Sequence, residues 1–178
     1  TIIPNLEQVS YGILLWRALL QWLGGIGIIV MAVAILPMLS IGGMQLFKTE
    51  SYETPDKIIP RAAIFASGIS IVYIVLTSIW AFMLWLAGMP IFDSITHAMT
   101  TLATGGYSTK SESLGAFNSV NIEMIIVFGM IVGSLPFIHY LTILKNGWKN
   151  LINDQQVKWF LLILIFLISI VTFNLYIN

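Results

Sequence analysis

Cysteine is absent from this chain, which excludes disulfides, thiolate catalysis and cysteine-based metal sites. Charge is nearly as scarce: only 9% of the 178 residues are Asp, Glu, Lys or Arg, eight of each sign, so the formal net charge is zero. A nucleic-acid partner is excluded with it, because a phosphate-binding surface needs clustered Lys and Arg. Histidine occurs twice, at His97 and His139, far apart in the chain and without a third ligand in view, which argues against a metal centre. No basic region followed by a cleavage site opens the sequence. No signal peptide is therefore expected, and the chain is expected to be part of a longer one.

What remains is apolar. Hydrophobic residues make up 58% of the chain and the mean hydropathy is +0.92, the composition of a membrane protein. Four charge-free runs stand out, Ala18 to Phe47, Ala62 to Phe92, Met124 to Leu144 and Trp159 to Asn178. Each is long enough to cross, since about 20 apolar residues in a helix span about 30 Å of hydrocarbon. Tyr11, Trp16, Trp80, Trp85, Trp148 and Trp159 are expected at the interfaces. Pro55 and Pro60 read as turn and helix-start signals.

Between the second and third runs lies "HAMTTLATGGYSTK", His97 to Lys110, crowded with threonine and glycine. Its approach, "MPIFDSITHAMTTLAT", predicts a helix over 91–103. Pro90 suits the first turn, Asp93 complements the positive dipole end, and Ile91, Ile95, Ala98 and Leu102 recur at helical spacing. That helix is too short to span. If it nevertheless crossed, the two basic loops would lie on opposite faces with three Lys or Arg each. If it enters and leaves from one face, Lys48, Lys57, Arg61, Lys145, Lys149 and Lys158 all lie on the cytoplasmic side, as the positive-inside bias requires. The re-entrant arrangement is therefore expected.

Irregular backbone at membrane depth is tolerated only when buried in protein or lining a watery cavity. "ATGGYST" suits a cation filter: Gly105 and Gly106 permit dihedrals that align successive carbonyls, Thr104 adds a hydroxyl, and the helix before them aims its negative end inward. The plainer reading of a Gly-Gly pair after a short helix is a C-cap and turn. The order span, half-helix, glycine loop, span favours the filter.

That order matches one M1-P-M2 unit of potassium-channel-like proteins, and "TGGYS", Thr104 to Ser108, resembles a degenerate form of the channel filter TVGYG. "LLWRALLQWLGGIGIIVMAVAILPML", with "GGMQLFKTES", "PRAA" and "HAMTTLATGGYST", is similar to the TrkH-type membrane subunits of the bacterial Trk/Ktr/HKT potassium uptake superfamily, and the resemblance runs through essentially the whole chain. It implies an all-α transmembrane fold. Residues 1–44 would end a preceding repeat with its M2-type helix and 45–59 would form a cytoplasmic loop. Residues 60–146 would make a complete M1-P-M2 repeat with its filter at 104–108, and 147–178 would hold a second cytoplasmic loop and the first helix of the next repeat.

The resemblance further implies potassium translocation without enzymatic activity, in a multi-pass protein of the bacterial inner membrane. Potassium would be the substrate, held by the carbonyls of Thr104, Gly105 and Gly106, with Tyr107 completing the filter and Gly106 as its characteristic glycine; no other cofactor is expected. Implied partners are membrane lipid, the remaining repeats of the same full-length chain, a second copy in a homodimer, and a cytosolic nucleotide-binding regulatory ring. The basic loops at 42–61 and 145–158 are candidate contacts for that ring. Ser108 stands where channel filters end in glycine and Gly105 replaces a bulkier residue, and both are expected to loosen the filter. The alternatives are a noncatalytic membrane scaffold whose glycine loop only turns the chain, and an ion-coupled secondary transporter with broken helices.

Other features have plain readings. "GGIG", Gly24 to Gly27, lacks the context of a dinucleotide site and is expected to serve close helix packing. "GSLP", Gly133 to Pro136, is expected to kink the third span. Arg17 is expected to snorkel or to pair inside the bundle, with Glu7 and Glu123 as candidate partners. Lys110 is expected to point away from the mouth, and Glu123 to serve a helix start. Asp93 and His97 share a helix face near serines, but a cap and an interfacial histidine explain them better than a hydrolase triad.

Overall fold

A computed structural model of the chain describes residues 5–39, 55–147 and 154–177. Every regular element among them is helical: α1 Tyr11–Leu39, α2 Pro55–Leu86, α3 Ile91–Leu102, α4 Val120–Ser134, α5 Phe137–Asn146 and α6 Gln155–Ile177, with short 3-10 helices at Leu6–Gln8 and Ser113–Phe117. Stretches long and apolar enough to cross a membrane lie in α1, α2 and α6 (Tyr11–Ile28, Ala66–Leu86 and Gln155–Tyr176). Residues 40–54, including the end of the first apolar run and most of the first basic loop, lie outside the described residues, as do 148–153. The expected loop 45–59 is shortened by the structure, because α2 already begins at Pro55, where a fixed φ and a missing N–H cost nothing.

The run from Met124 to Leu144, which reads as one traverse, is two helices separated at Leu135 and Pro136. Pro136 has no N–H to donate to the preceding turn, and its ring disfavours helical backbone at Leu135, so the helix is interrupted rather than merely bent.

The chain forms two compact units, residues 1–134 and 135–178. In the second, Asp154 caps α6: one carboxylate oxygen accepts the N–H groups of Gln156 and Val157 at 2.8 and 3.2 Å, and the other lies 3.7 Å from His139 Nε2. The apolar side chains along α6 face outward, Leu162, Phe166 and Phe173 among them, as a lipid-facing or partner-facing helix requires.

In the first unit, α1, α2 and α4 close around α3. Trp22 of α1 stacks on Tyr73 of α2 with centroids 5.3 Å apart, and its indole N–H donates to Thr77 at 3.0 Å. Trp80, expected at the interface, turns inward instead: it is 9% exposed and donates to the Ile125 carbonyl of α4 at 2.9 Å. An indole buried among apolar helices needs such an acceptor. Small residues set the spacing. A Cβ on Gly25 would lie 3.3 Å from that of Ala103, and one on Gly133 would lie 2.8 Å from the Leu102 carbonyl oxygen. Of the "GGIG" glycines only Gly25 makes such a contact, since Gly24 and Gly27 face open space.

A methyl group at Gly129 would meet Thr101 Cγ2 at 2.7 Å and overlap the Trp80 indole. Gly129→Ala is therefore expected to destabilise the fold by about 1–3 kcal/mol. Thermal unfolding of the detergent-solubilised protein checks this, with Gly12→Ala, whose methyl meets nothing within 4 Å, expected to match the parent.

Candidate functional site

The site is built on α3, which matches the expected helix over 91–103 to within a residue and spans about 18 Å, too short to cross. Its faces are reversed relative to a soluble helix. Ile91 and Ile95 point outward, whereas Asp93, Ser94, Thr96, His97, Thr100 and Thr101 are buried with Ala98 and Leu102. Back-bonding makes this tolerable: Ser94 donates to the Pro90 carbonyl at 3.0 Å, Thr96 to Phe92 at 2.9 Å and Thr100 to His97 at 3.2 Å.

The helix stops in a defined way. Gly105 N–H donates to the Thr100 carbonyl at 2.9 Å and Thr104 N–H to Thr101 at 3.0 Å, the paired bonds of a Schellman cap. The left-handed residue is Thr104, with φ of 53°, a strained choice for a β-branched side chain. Gly106 is also left-handed at φ of 72°, while Gly105 is needed for a close approach: the Gln21 side chain of α1 occupies the space a Cβ would fill. Among the described residues no donor meets the carbonyls of Thr104, Gly105 or Gly106. These residues line a cavity of about 280 Å³, closed on the far side by Ile126, Met130 and Ser134 of α4. The Tyr107 carbonyl is different, accepting the Thr100 hydroxyl at 2.8 Å.

Beyond the glycines the chain climbs back along α3. His97 Nε2 lies 3.0 Å from Ser108 Oγ and His97 Nδ1 lies 2.8 Å from the Asp93 carbonyl. The arrangement is satisfied when Nδ1–H donates to Asp93 and Nε2 accepts the serine proton. Ser108 Oγ in turn accepts the Lys110 N–H at 3.0 Å, and the Asp93 carboxylate accepts the Thr109 hydroxyl at 2.6 Å. Asp93, His97 and a serine do meet, but the histidine is oriented by a main-chain carbonyl and the carboxylate is occupied elsewhere, so this is bracing rather than nucleophile activation.

Two polar residues of α1 reach the same place. Arg17 places its guanidinium 4.9 Å from the centroid of the Tyr107 ring, a cation–π contact. Neither Glu7 nor Glu123 pairs with it among the described residues. Glu7 instead takes Ser111, accepting its N–H at 3.0 Å and its hydroxyl at 2.6 Å, while the Leu6 N–H donates to Ser111 Oγ at 3.0 Å. These bonds join the turn before α1 to the loop after the glycines.

The structure thus places Thr104, Gly105, Gly106 and Tyr107 together on one short loop at the C-terminus of α3. Sequence reasoning missed Thr100, Gln21 and the Arg17–Tyr107 contact. A signal existed for the α1 pair: Arg17 and Gln21 are one helical turn apart in an otherwise apolar stretch, with Leu14, Ala18 and Gly25 on the same face.

The whole chain, residues 1–178, matches the family described as "TrkH: Cation transport protein". It is 42% identical over 175 residues to the Trk system potassium uptake protein TrkI of Halomonas elongata, covering 97% of this chain and 35% of that protein. It is 39% identical to TrkH of Salmonella typhimurium, over 99% of this chain and 37% of that one. The crystal structure of the potassium transporter TrkH from Vibrio parahaemolyticus superimposes with a TM-score of 0.77 at 37% identity, covering 94% of this chain and 34% of that one. The chain spans about a third of the length of these relatives.

The two Ser111 bonds, hydroxyl first, lower the Glu7 carboxyl from 4.5 to about 2, with Lys110 adding a smaller effect. Because the folded value is the lower one, the stabilisation is fully present above 4.5 and is lost as pH falls through about 2. A carboxyl titration by ¹³C NMR, assigned by Glu7→Gln, is expected to show this midpoint; a midpoint near 4.5 counts against the tie.

Proposed function

The chain belongs to the TrkH family of cation transport proteins, and from that premise we propose that residues 60–146 form one pore-loop unit of a potassium-translocating protein. Residues 1–44 and 147–178 supply the adjoining parts of neighbouring repeats. The observation that carries this reading is the set of unpaired carbonyls at Thr104, Gly105 and Gly106 along the cavity wall. A plain turn accounts for the N–H groups of the cap but leaves those oxygens free of internal donors, on residues that are exposed (Thr104, Gly106) or half-buried (Gly105) and so open to water or to an ion.

Potassium is the substrate. A cation entering from outside sheds water and meets carbonyl dipoles in exchange, at the end of a helix carrying about half a negative charge. Tyr107 belongs to the same filter, with one lone pair of its carbonyl held by Thr100 and the other available. The loop contributes backbone oxygens rather than formal charge, so a cation can bind and still leave. No covalent chemistry is involved and the protein is not an enzyme. The full-length chain supplies the other filter loops, works as a homodimer in the bacterial inner membrane, and docks a cytosolic nucleotide-binding ring through its basic loops.

Potassium uptake by the full-length protein in cells lacking other uptake systems tests this. A side chain at Gly106 meets nothing within 4 Å, so its backbone alone resists substitution. Gly106→Val is expected to lower uptake or potassium-over-sodium discrimination by about tenfold, and Gly106→Asn by less, because asparagine tolerates left-handed backbone. Unchanged uptake and discrimination in Gly106→Val would leave the scaffold reading in place. Uptake into proteoliposomes that requires a sodium or proton gradient would favour a coupled transporter.

A further inference from the structure

Three side chains of α3 hold three successive residues of the loop's ascending limb. Thr100 donates to the Tyr107 carbonyl at 2.8 Å, His97 Nε2 meets Ser108 Oγ at 3.0 Å, and the Asp93 carboxylate meets Thr109 Oγ1 at 2.6 Å. Each step of one residue up the loop is matched by three or four residues, about one turn, back along the helix. His97 is the middle rung, 3% exposed, with its ring fixed by the Asp93 carbonyl on one side and by an edge-on contact with Phe117, 5.5 Å between centroids, on the other. The space between this ladder and α1 is about 10 Å³, room for one water at most. Water is thus scarce on the α1 side, while His97, Thr100, Tyr107 and Ser108 face the larger cavity on the other.

Resting on the pore reading above, we infer that His97, acting through Ser108, is a positioning residue that sets the discrimination between potassium and smaller cations. The hydroxyl does what a final filter glycine cannot. It anchors the limb to the helix from behind, holding the Tyr107 carbonyl, one residue away, against inward collapse. Discrimination against a smaller ion needs that restraint, since carbonyls free to move inward would accept sodium at shorter distances. Ser108, a departure from the glycine-ended pattern expected to loosen the filter, becomes the residue through which the filter is stiffened.

The test uses the full-length protein and reads rubidium uptake with and without competing sodium, alongside KM, maximal rate and the amount of protein in the membrane. His97→Asn reaches only as far as Nδ1, keeping the Asp93 bond and losing Ser108, whereas His97→Gln places an acceptor where Nε2 lies. His97→Asn and Ser108→Ala are each expected to lower discrimination about tenfold, the cost of one buried hydrogen bond, with the double variant no worse than either and His97→Gln retaining most of it. Parental discrimination in Ser108→Ala overturns the inference, and so does a double variant that loses the product of the two. If His97→Asn fails to accumulate, Ser108→Ala decides alone. Failure of the pore reading looks different: there the Gly106→Val protein carries potassium as the parent does.

Discussion

A helix that ends among packed apolar helices has C-terminal carbonyls that no further turn can satisfy, and the C-terminus of α3 is such an end. The surrounding architecture answers to that constraint. The Schellman bonds of Thr104 and Gly105 engage the carbonyls of Thr101 and Thr100, and the Thr100 hydroxyl takes one lone pair of the Tyr107 carbonyl. The carbonyls of Thr104, Gly105 and Gly106 meet no donor among the described residues, and these three residues line a cavity of about 280 Å³.

Enclosing that end requires close approach, which explains where the small residues fall. Gly25, Gly129 and Gly133 bring α1, Trp80 and α4 up to the last turn of α3 and the residue after it. Large aromatics complete the enclosure, and each polar edge is satisfied, as in the bonds of Trp22 to Thr77 and Trp80 to Ile125. The Arg17 guanidinium fits the same economy. Over the Tyr107 ring it is held by a quadrupole, an interaction worth about 0.5–2 kcal/mol depending on desolvation, with no carboxylate partner among the described residues.

The fold was legible in the sequence wherever one physical rule dominated. Apolar length marked α1, α2 and α6, and Pro90, Asp93 and the glycines marked both ends of α3. It was less legible where two rules competed. The third apolar run satisfied the length rule but carried Pro136, and the missing N–H prevailed. The apolar spacing of Ile91, Ile95, Ala98 and Leu102 marked a helix but not its buried face: Ile91 and Ile95 lie outside, because among apolar neighbours the polar side chains are the ones that must find partners. Trp80 and Trp85 looked alike in sequence, yet Trp80 is buried against the Ile125 carbonyl whereas Trp85 is exposed.

By itself, the sequence determined an all-helical membrane chain, a short helix unable to cross, and a glycine-bearing loop after it, since these depend on composition, length and backbone freedom. Only the tertiary structure decided which groups meet. Glu7 and Leu6 reach Ser111 across more than a hundred residues, Arg17 and Gln21 reach Tyr107 and Gly105 from another helix, and His97 selects Ser108. Such pairings depend on how each helix is rotated about its axis and how closely its glycines let it approach, quantities that no single segment encodes.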